Sequence, residues 1–175
     1  SDGAGTVATE PVIVSSRMER NGQYSPDGRY IAFQSNRSGA FEIWVADDDG
    51  KHPRQITSFG SGHTGTPRWS PDGQKIVFDS DSAGNFDIYV VDHDGSGVRR
   101  LTDDPAQDSI PSWSKDGRFI YFQSHRTGQS QIWKVPAGGG PNVQVTTSGG
   151  LVAFESPDAH WLYYMKQEGT TEVWR

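Results

Sequence analysis

Short apolar runs bounded by glycine, proline, serine and aspartate recur down the whole chain. Tyr30-Ile31-Ala32-Phe33, Lys75-Ile76-Val77-Phe78, Phe119-Ile120-Tyr121-Phe122 and Trp161-Leu162-Tyr163-Tyr164 are rich in aromatic and β-branched residues, and they read as strands. After a further turn, each leads to a second run, at residues 41–45, 86–90, 131–135 and 171–174. Apolar residues fill adjacent positions in these runs, so both faces of each small sheet need cover. The natural cover is the next identical sheet. The register repeats residue by residue: Ile43, Ile88, Ile132 and Val173 share one position, and Trp44, Tyr89, Trp133 and Trp174 share the next.

The first run of each unit follows one recurring turn: Ser25-Pro26-Asp27-Gly28, Ser70-Pro71-Asp72-Gly73, Ser114-Lys115-Asp116-Gly117 and Ser156-Pro157-Asp158-Ala159. Spacings of 45, 44 and 42 residues mark units that cannot bury their own faces and stack on their neighbours. Proline presets the first central turn position, aspartate accepts nearby backbone amides, and glycine takes the left-handed position. Ala159 stands where a Cβ is disfavoured, so the fourth hairpin is expected to be looser or differently shaped. A later turn, such as Asp48-Asp49-Gly50 or His93-Asp94-Gly95, leads to a fourth strand at residues 54–57, 99–102 and 143–146. Four antiparallel strands per unit is the pattern of a propeller blade. The expected fold class is therefore all-β, a β-propeller with blades at residues 17–57, 62–102, 106–146 and 149–175.

The fourth unit stops after its third strand, whereas residues 1–16 hold an orphan run, Val12-Ile13-Val14-Ser15. Unpaired strand edges invite pairing, so this clasp strand is expected to complete the fourth blade in cis or in trans. Exchange between two chains would make an eight-bladed homodimeric ring with twofold symmetry. A closed four-bladed monomer and a segment of a longer propeller are the alternatives.

Taken together, Trp69 to Gly73, Ile31 to Phe33, Ser35 to Gly39, Phe41 to Val45, Asp94-Gly95 and Leu101-Thr102 resemble the TolB-like, WD-repeat-like propeller repeat. The resemblance covers nearly everything from about residue 12 onward. It implies a ring of six or more blades and a periplasmic or extracytoplasmic setting. It also implies one of three roles: a Tol-system binding protein, a propeller gating a peptidase, or the sensor part of a regulator.

Composition narrows the chemistry. A net charge of −6 disfavours nucleic acid, whose phosphates demand a basic surface. Cysteine is absent, so there is neither a disulfide framework nor a thiol nucleophile. No apolar run is long enough to insert in a membrane as a helix, and residues 1–5 lack the charged and apolar regions of a signal peptide.

Asp79-Ser80-Asp81-Ser82-Ala83-Gly84 begins like a calcium loop, but Ala83 and Val90 fill positions that need oxygen ligands, so a hairpin turn is expected. The histidines sit at different repeat positions, and there is no Gly-x-Ser-x-Gly elbow. His63, Asp108 and Ser109 could be written as a triad, yet geometry defines one. No catalytic residue, cofactor or metal is therefore expected. What remains is a binding surface on the segments entering each blade, at residues 17–23, 60–67, 104–111 and 147–152. Its candidate contacts are Glu19, Arg20, Asn21, His63, Thr64, Asp108 and Ser109. Arg37 and Arg126 are expected to lay their stems on the adjacent aromatic strand. The expected function is a non-enzymatic scaffold meeting a protein or peptide at the channel rim. The alternatives are a self-assembling module, natural or engineered, and an accessory propeller of a regulator or peptidase.

Overall fold

A computed structural model describes residues 11–168 and 170–175, and side-chain burial for all of these except 167–172. Residues 1–10 of the N-terminal segment and Gly169 of the last hairpin turn lie outside that description. Fifteen strands and no helix form among the described residues. Blade 1 contains β1 (Glu19–Tyr24), β2 (Tyr30–Ser35), β3 (Glu42–Asp47) and β4 (Arg54–Gln55). Blade 2 contains β5 (Thr64–Trp69), β6 (Lys75–Ser80), β7 (Asp87–Asp92) and β8 (Arg99–Arg100). Blade 3 contains β9 (Asp108–Trp113), β10 (Phe119–Ser124), β11 (Gln131–Pro136) and β12 (Val143–Gln144). Blade 4 has three strands, β13 (Ala153–Glu155), β14 (Leu162–Glu168) and β15 (Thr170–Trp174). Every sheet is an antiparallel meander in sequence order.

The recurring turn is a closed hydrogen-bond lattice. In blade 1 the Ser25 hydroxyl donates to Asp27 Oδ1 (2.6 Å) and accepts the Tyr30 amide (3.0 Å), while Asp27 Oδ1 also accepts the Arg29 amide (3.2 Å). Ser70 with Asp72, Ser114 with Asp116 and Ser156 with Asp158 repeat it. Bonding to Ser25 and Arg29 holds the Asp27 carboxyl down at about 2, and bonds from Arg118 and Ser114 do the same for Asp116. The fourth turn is not looser, contrary to the expectation from Ala159. Ala159 adopts φ +57°, close to the +69° to +74° of Gly28, Gly73 and Gly117, and its amide bonds Ser156 O at 2.9 Å as theirs bond the corresponding serines. The serine and aspartate bonds hold the alanine in the left-handed region despite its Cβ.

A second lattice fixes the outer edge. The Thr57, Thr102 and Thr146 hydroxyls accept the amides of Ile43, Ile88 and Ile132 at 2.9, 3.0 and 2.9 Å. Thr57 donates in turn to buried Glu42 (2.6 Å), and Thr146 to buried Gln131 (2.8 Å). The Ile56, Leu101 and Val145 amides still donate to the Ile43, Ile88 and Ile132 carbonyls, so the threonine hydroxyl takes over one side of the ladder only, and the fourth strands are two residues long rather than the four expected.

Burial comes from stacking, as the doubly apolar runs require. Ala32, Ile43, Val45 and Ile56 of blade 1 pack on Trp69, Ile76, Phe78, Tyr89 and Val91 of blade 2. Val77 and Ile88 meet Ile120, Phe122 and Val135 of blade 3, and Tyr121 and Ile132 meet Ala153, Leu162 and Tyr164 of blade 4. Each junction is also pinned at the inner strands. Trp69 Nε1 donates to the Gln23 carbonyl (3.1 Å) and Trp113 Nε1 to the Arg68 carbonyl (3.0 Å), while Glu155 accepts the Lys115 amide (2.7 Å). The four inner strands β1, β5, β9 and β13 therefore lie side by side in order.

None of the apolar clusters among the described residues joins blade 4 to blade 1, so the blades form an open arc. Closure in cis by residues 12–15 is not formed. That segment takes no strand pairing; Ile13 lies on Ile31, Phe33 and Ala46 of blade 1, and Gly50 faces the Val12 carbonyl so closely that a Cβ there would clash with it. The apolar outward face of blade 1 competes successfully for the run that looked like a strand.

Candidate functional site

Glu19, Arg20, Asn21, Thr64, Asp108 and Ser109 lie in the first halves of inner strands, not in loops as the sequence suggested, with His63 just before β5. Proline and glycine in these strands hid the alternation. Of the four inner strands, β1, β5 and β9 each carry a bulge, between Arg20 and Gln23, between Gly65 and Arg68, and after Ser109. At the bulges Asn21, Thr66 and Ile110 adopt φ of +55°, +51° and +54°. Two of these are β-branched, for which a left-handed backbone is strained, and such strain concentrates where a surface is being shaped.

The candidates divide into scaffold and surface. Glu19, Thr64 and Asp108 occupy one repeat position and brace the second hairpin. Glu19 Oε1 accepts Arg37 Nη2 (2.8 Å), Asp108 Oδ2 accepts Arg126 Nη2 (2.6 Å), and Thr64 Oγ1 meets Ser80 Oγ (2.8 Å). The arginines do lie on aromatic rings, Arg37 5.0 Å from the Trp44 centroid and Arg126 4.6 Å from that of Trp133. Their ion pairs with Glu19 and Asp108 were not foreseen, although an acid accompanies each arginine, whereas blade 2 has Ser82 at the arginine's position and Thr64 at the acid's.

His63, Arg20 and Asn21 converge at the rim. The His63 ring lies 4.7 Å from Phe41 and 6.1 Å from Phe86, and the Arg20 guanidinium sits 5.7 Å from the Phe41 ring. The Gln34 amide nitrogen donates to His63 Nε2 (2.7 Å) and to Thr64 O (2.8 Å), and Asn21 Nδ2 reaches Gln34 Oε1 at 3.5 Å. His63 N donates to Asp81 Oδ1 (2.6 Å), so both ring and backbone are oriented. The result is a part-exposed ladder of Arg20, Phe41, His63 and Phe86 crossing two blades. Phe41 and Phe86 were missed, though their shared repeat position beside the second hairpin was a usable signal. Ser109 stands in the inner strand of blade 3, where it pairs with Gln123 of β10 in the same blade.

The triad written from His63, Asp108 and Ser109 is not formed. Asp108 is bonded to Arg126 and His63 to Gln34, so the two supposed triad members have different partners. Burial raises the Asp79 carboxyl, which accepts the Thr66 hydroxyl (2.9 Å) and the Ile110 amide (2.8 Å). It therefore ties blade 2 to the bulge of blade 3. The segment after Ser80 forms the expected hairpin turn, closed by Gly84 N to Asp81 O at 2.9 Å. No group of three or more histidine or acidic residues suited to a metal ion occurs among the described residues.

Repeated four-stranded meanders, stacked face to face around shared inner strands, define a β-propeller. A family model described as the TolB beta propeller domain matches residues 8–174, and the chain belongs to that family. A putative TolB from Agrobacterium tumefaciens superposes with a TM-score of 0.81 at 29% identity, over 90% of this chain and 58% of that one. TolB from Acinetobacter baumannii gives 0.75 at 24% identity, over 87% of this chain and 39% of that one. A puromycin-hydrolyzing peptidase from Mycobacterium tuberculosis shares the fold, with a TM-score of 0.71 at 16% identity over 93% of this chain and 30% of that one. The chain thus spans less than two thirds of each of these structures.

Proposed function

We propose that this chain is a non-enzymatic binding propeller whose partner, a protein or extended peptide, seats on the rim. The observation that carries this reading is the Arg20, Phe41, His63, Phe86 ladder, with cation, imidazole and two aromatic faces held in place across a blade junction. Arginine and aromatic side chains are the residue types that dominate binding hot spots. Asn21 and Ser109 border the ladder, while Glu19, Thr64 and Asp108 hold its backbone. Selection from a displayed random-peptide library tests the reading. Peptides should enrich on the wild-type protein and be lost on an Arg20→Ala, His63→Ala double variant that melts normally. Enrichment unaffected by that variant removes the rim from the proposal.

A second reading, self-association, rests on a different observation. Val173 is 72% exposed, whereas Ile43, Ile88 and Ile132 at the same repeat position are fully buried by the following blade. A second copy placing its blade 1 there, with residues 12–15 transferred as a clasp, would give the twofold eight-bladed homodimer. Sedimentation should then find twice the 19.2 kDa of one chain, reduced to one chain by Val173→Lys. A mass of one chain at all concentrations excludes the dimer. Membership of the TolB family supports an extracytoplasmic setting, which an alkaline phosphatase fusion to the full-length gene product would test by its activity.

A further inference from the structure

At the other end of the inner strands, beside the recurring turns, lies a cavity of about 370 Å³ to which all four blades contribute. Gln23, Arg68, Ser112 and Phe154 each stand two residues before the turn serine, and all four line it, together with Trp113 and Lys115. The scaffold around this position repeats while the position itself changes from amide to cation to hydroxyl to ring. Gln23 and Ser112 are committed to the frame: Gln23 Oε1 accepts the Trp69 amide (2.8 Å) and Ser112 Oγ donates to Ala153 O (2.5 Å). Arg68 is not. Its guanidinium is part-buried, makes one hydrogen bond, from Nη1 to the Pro67 carbonyl (2.8 Å), and forms no ion pair among the described residues.

The cavity wall carries two cations, Arg68 and Lys115, and no carboxylate, in a chain whose acids outnumber its bases by 22 to 16. Burial pulls the Arg68 pKa down, and attraction from Asp79 offsets this only in part. A guanidinium stays charged regardless, so the part of its desolvation that Asp79 does not offset stands until an anion arrives. Its backbone is held by the Trp113 indole bond to the Arg68 carbonyl and its fork by the bond from Nη1 to the Pro67 carbonyl, which together preposition the remaining donors.

We propose that this cavity is a second binding site, distinct from the rim, that takes a carboxylate carried on a flat apolar body. The planar fork matches a carboxylate through two parallel hydrogen bonds. The rings of Trp113 and half-exposed Phe154 supply flat walls, and the volume lies in the range of small-ligand pockets. Lys115 is exposed at the edge, so the part-buried charge to be matched is a single one, which favours a carboxylate over a doubly charged phosphate. The carboxylate can belong to a free aromatic acid or to the C-terminal residue of a peptide.

Calorimetric titration of the whole chain with 1-naphthoate, the neutral 1-naphthalenemethanol, inorganic phosphate, N-acetyltryptophan and N-acetyltryptophan amide tests this. Naphthoate should bind roughly ten- to a hundredfold tighter than the alcohol, the range that hydrogen bonds to a charged group supply. Arg68→Gln should erase that factor, and Arg20→Ala, His63→Ala should leave it intact. N-acetyltryptophan binding above its amide and above naphthoate assigns the carboxylate to a peptide end, and the reverse order assigns it to a free acid. Equal affinity for acid and alcohol, a preference for phosphate, no binding by any probe, or full affinity in Arg68→Gln each overturns the proposal. If Arg68→Gln fails to fold, the acid and alcohol comparison on the wild type decides, with Arg68→Lys expected to bind naphthoate more weakly than the wild type.

Discussion

The junction between blades 1 and 2 and the outward face of blade 4 are built from the same repeat, yet they end in opposite states. Ile43 of blade 1 is fully buried against blade 2, and Phe78 of blade 2 is sealed beside Tyr89, 5.6 Å between ring centroids. Val173, which corresponds to Ile43, is 72% exposed, and Tyr163, which corresponds to Ala32 and Val77, is 40% exposed. Burial is therefore a property of the pair of blades and not of the strand. An apolar residue at this position stabilises the fold only through the neighbour that covers it.

The largest test of that contrast is truncation. Phe78→Ala should cost about 3–5 kcal/mol in denaturant unfolding, because a ring is removed from a closed junction. Val173→Ala should change stability by no more than about 0.5 kcal/mol. Equal losses would mean that the blade 4 face is covered in solution. Next comes Thr102→Val, which removes the hydroxyl accepting the Ile88 amide inside a buried edge and should cost roughly 1–3 kcal/mol by the same assay.

The third test uses protons. Burial lifts the Asp87 carboxyl to about 6 against the pull of Arg100, whose Nη2 lies 2.6 Å away. The folded state holds this proton more tightly than the unfolded one, so Asp87 weakens folding as pH rises from 3.8 to about 6. The exposed turn residues Asp27 and Asp116, held at about 2, act the other way: their contribution is present above 3.8 and is lost as pH falls toward 2. Denaturant midpoints across this range should show wild type losing ground to Asp87→Asn between pH 3.8 and 6 and no further above it. Parallel curves would show that Asp87 does not titrate differently on folding.

The smallest effect is expected at the fourth turn. Ala159→Gly should raise stability by about 0.5–1 kcal/mol, because the left-handed backbone no longer carries a Cβ. A melting temperature that stays the same or falls would show that the lattice of Ser156 and Asp158 already absorbs the strain.

The blades were legible because strand alternation, turn chemistry and a fixed period all agree at every unit. The register from Ile43 to Val173 was readable for the same reason, and so was stacking on both faces. The inner strands were less legible, since Pro67, Pro111 and the left-handed residues before them interrupt the alternation that marks a strand. The run at residues 12–15 was ambiguous because β-branched residues suit a strand and an apolar cover equally well, and within one chain Ile13 lies as a cover on blade 1. At the rim, Arg20, Asn21 and His63 were readable as candidates, but Phe41 and Phe86 join them only through a junction between blades. Arg68 is invisible as a site in one dimension, where nothing distinguishes a lone arginine without an acid from one on a solvated edge.

The indole bonds from Trp69 to the Gln23 carbonyl and from Trp113 to the Arg68 carbonyl have a consequence for ancestry. Each blade carries the group that fastens it to its predecessor, so every joint is specified by two adjacent units and by nothing more distant. Duplication or deletion of one whole unit leaves the remaining joints intact. Blade number is thus free to drift over generations while the blade itself is retained.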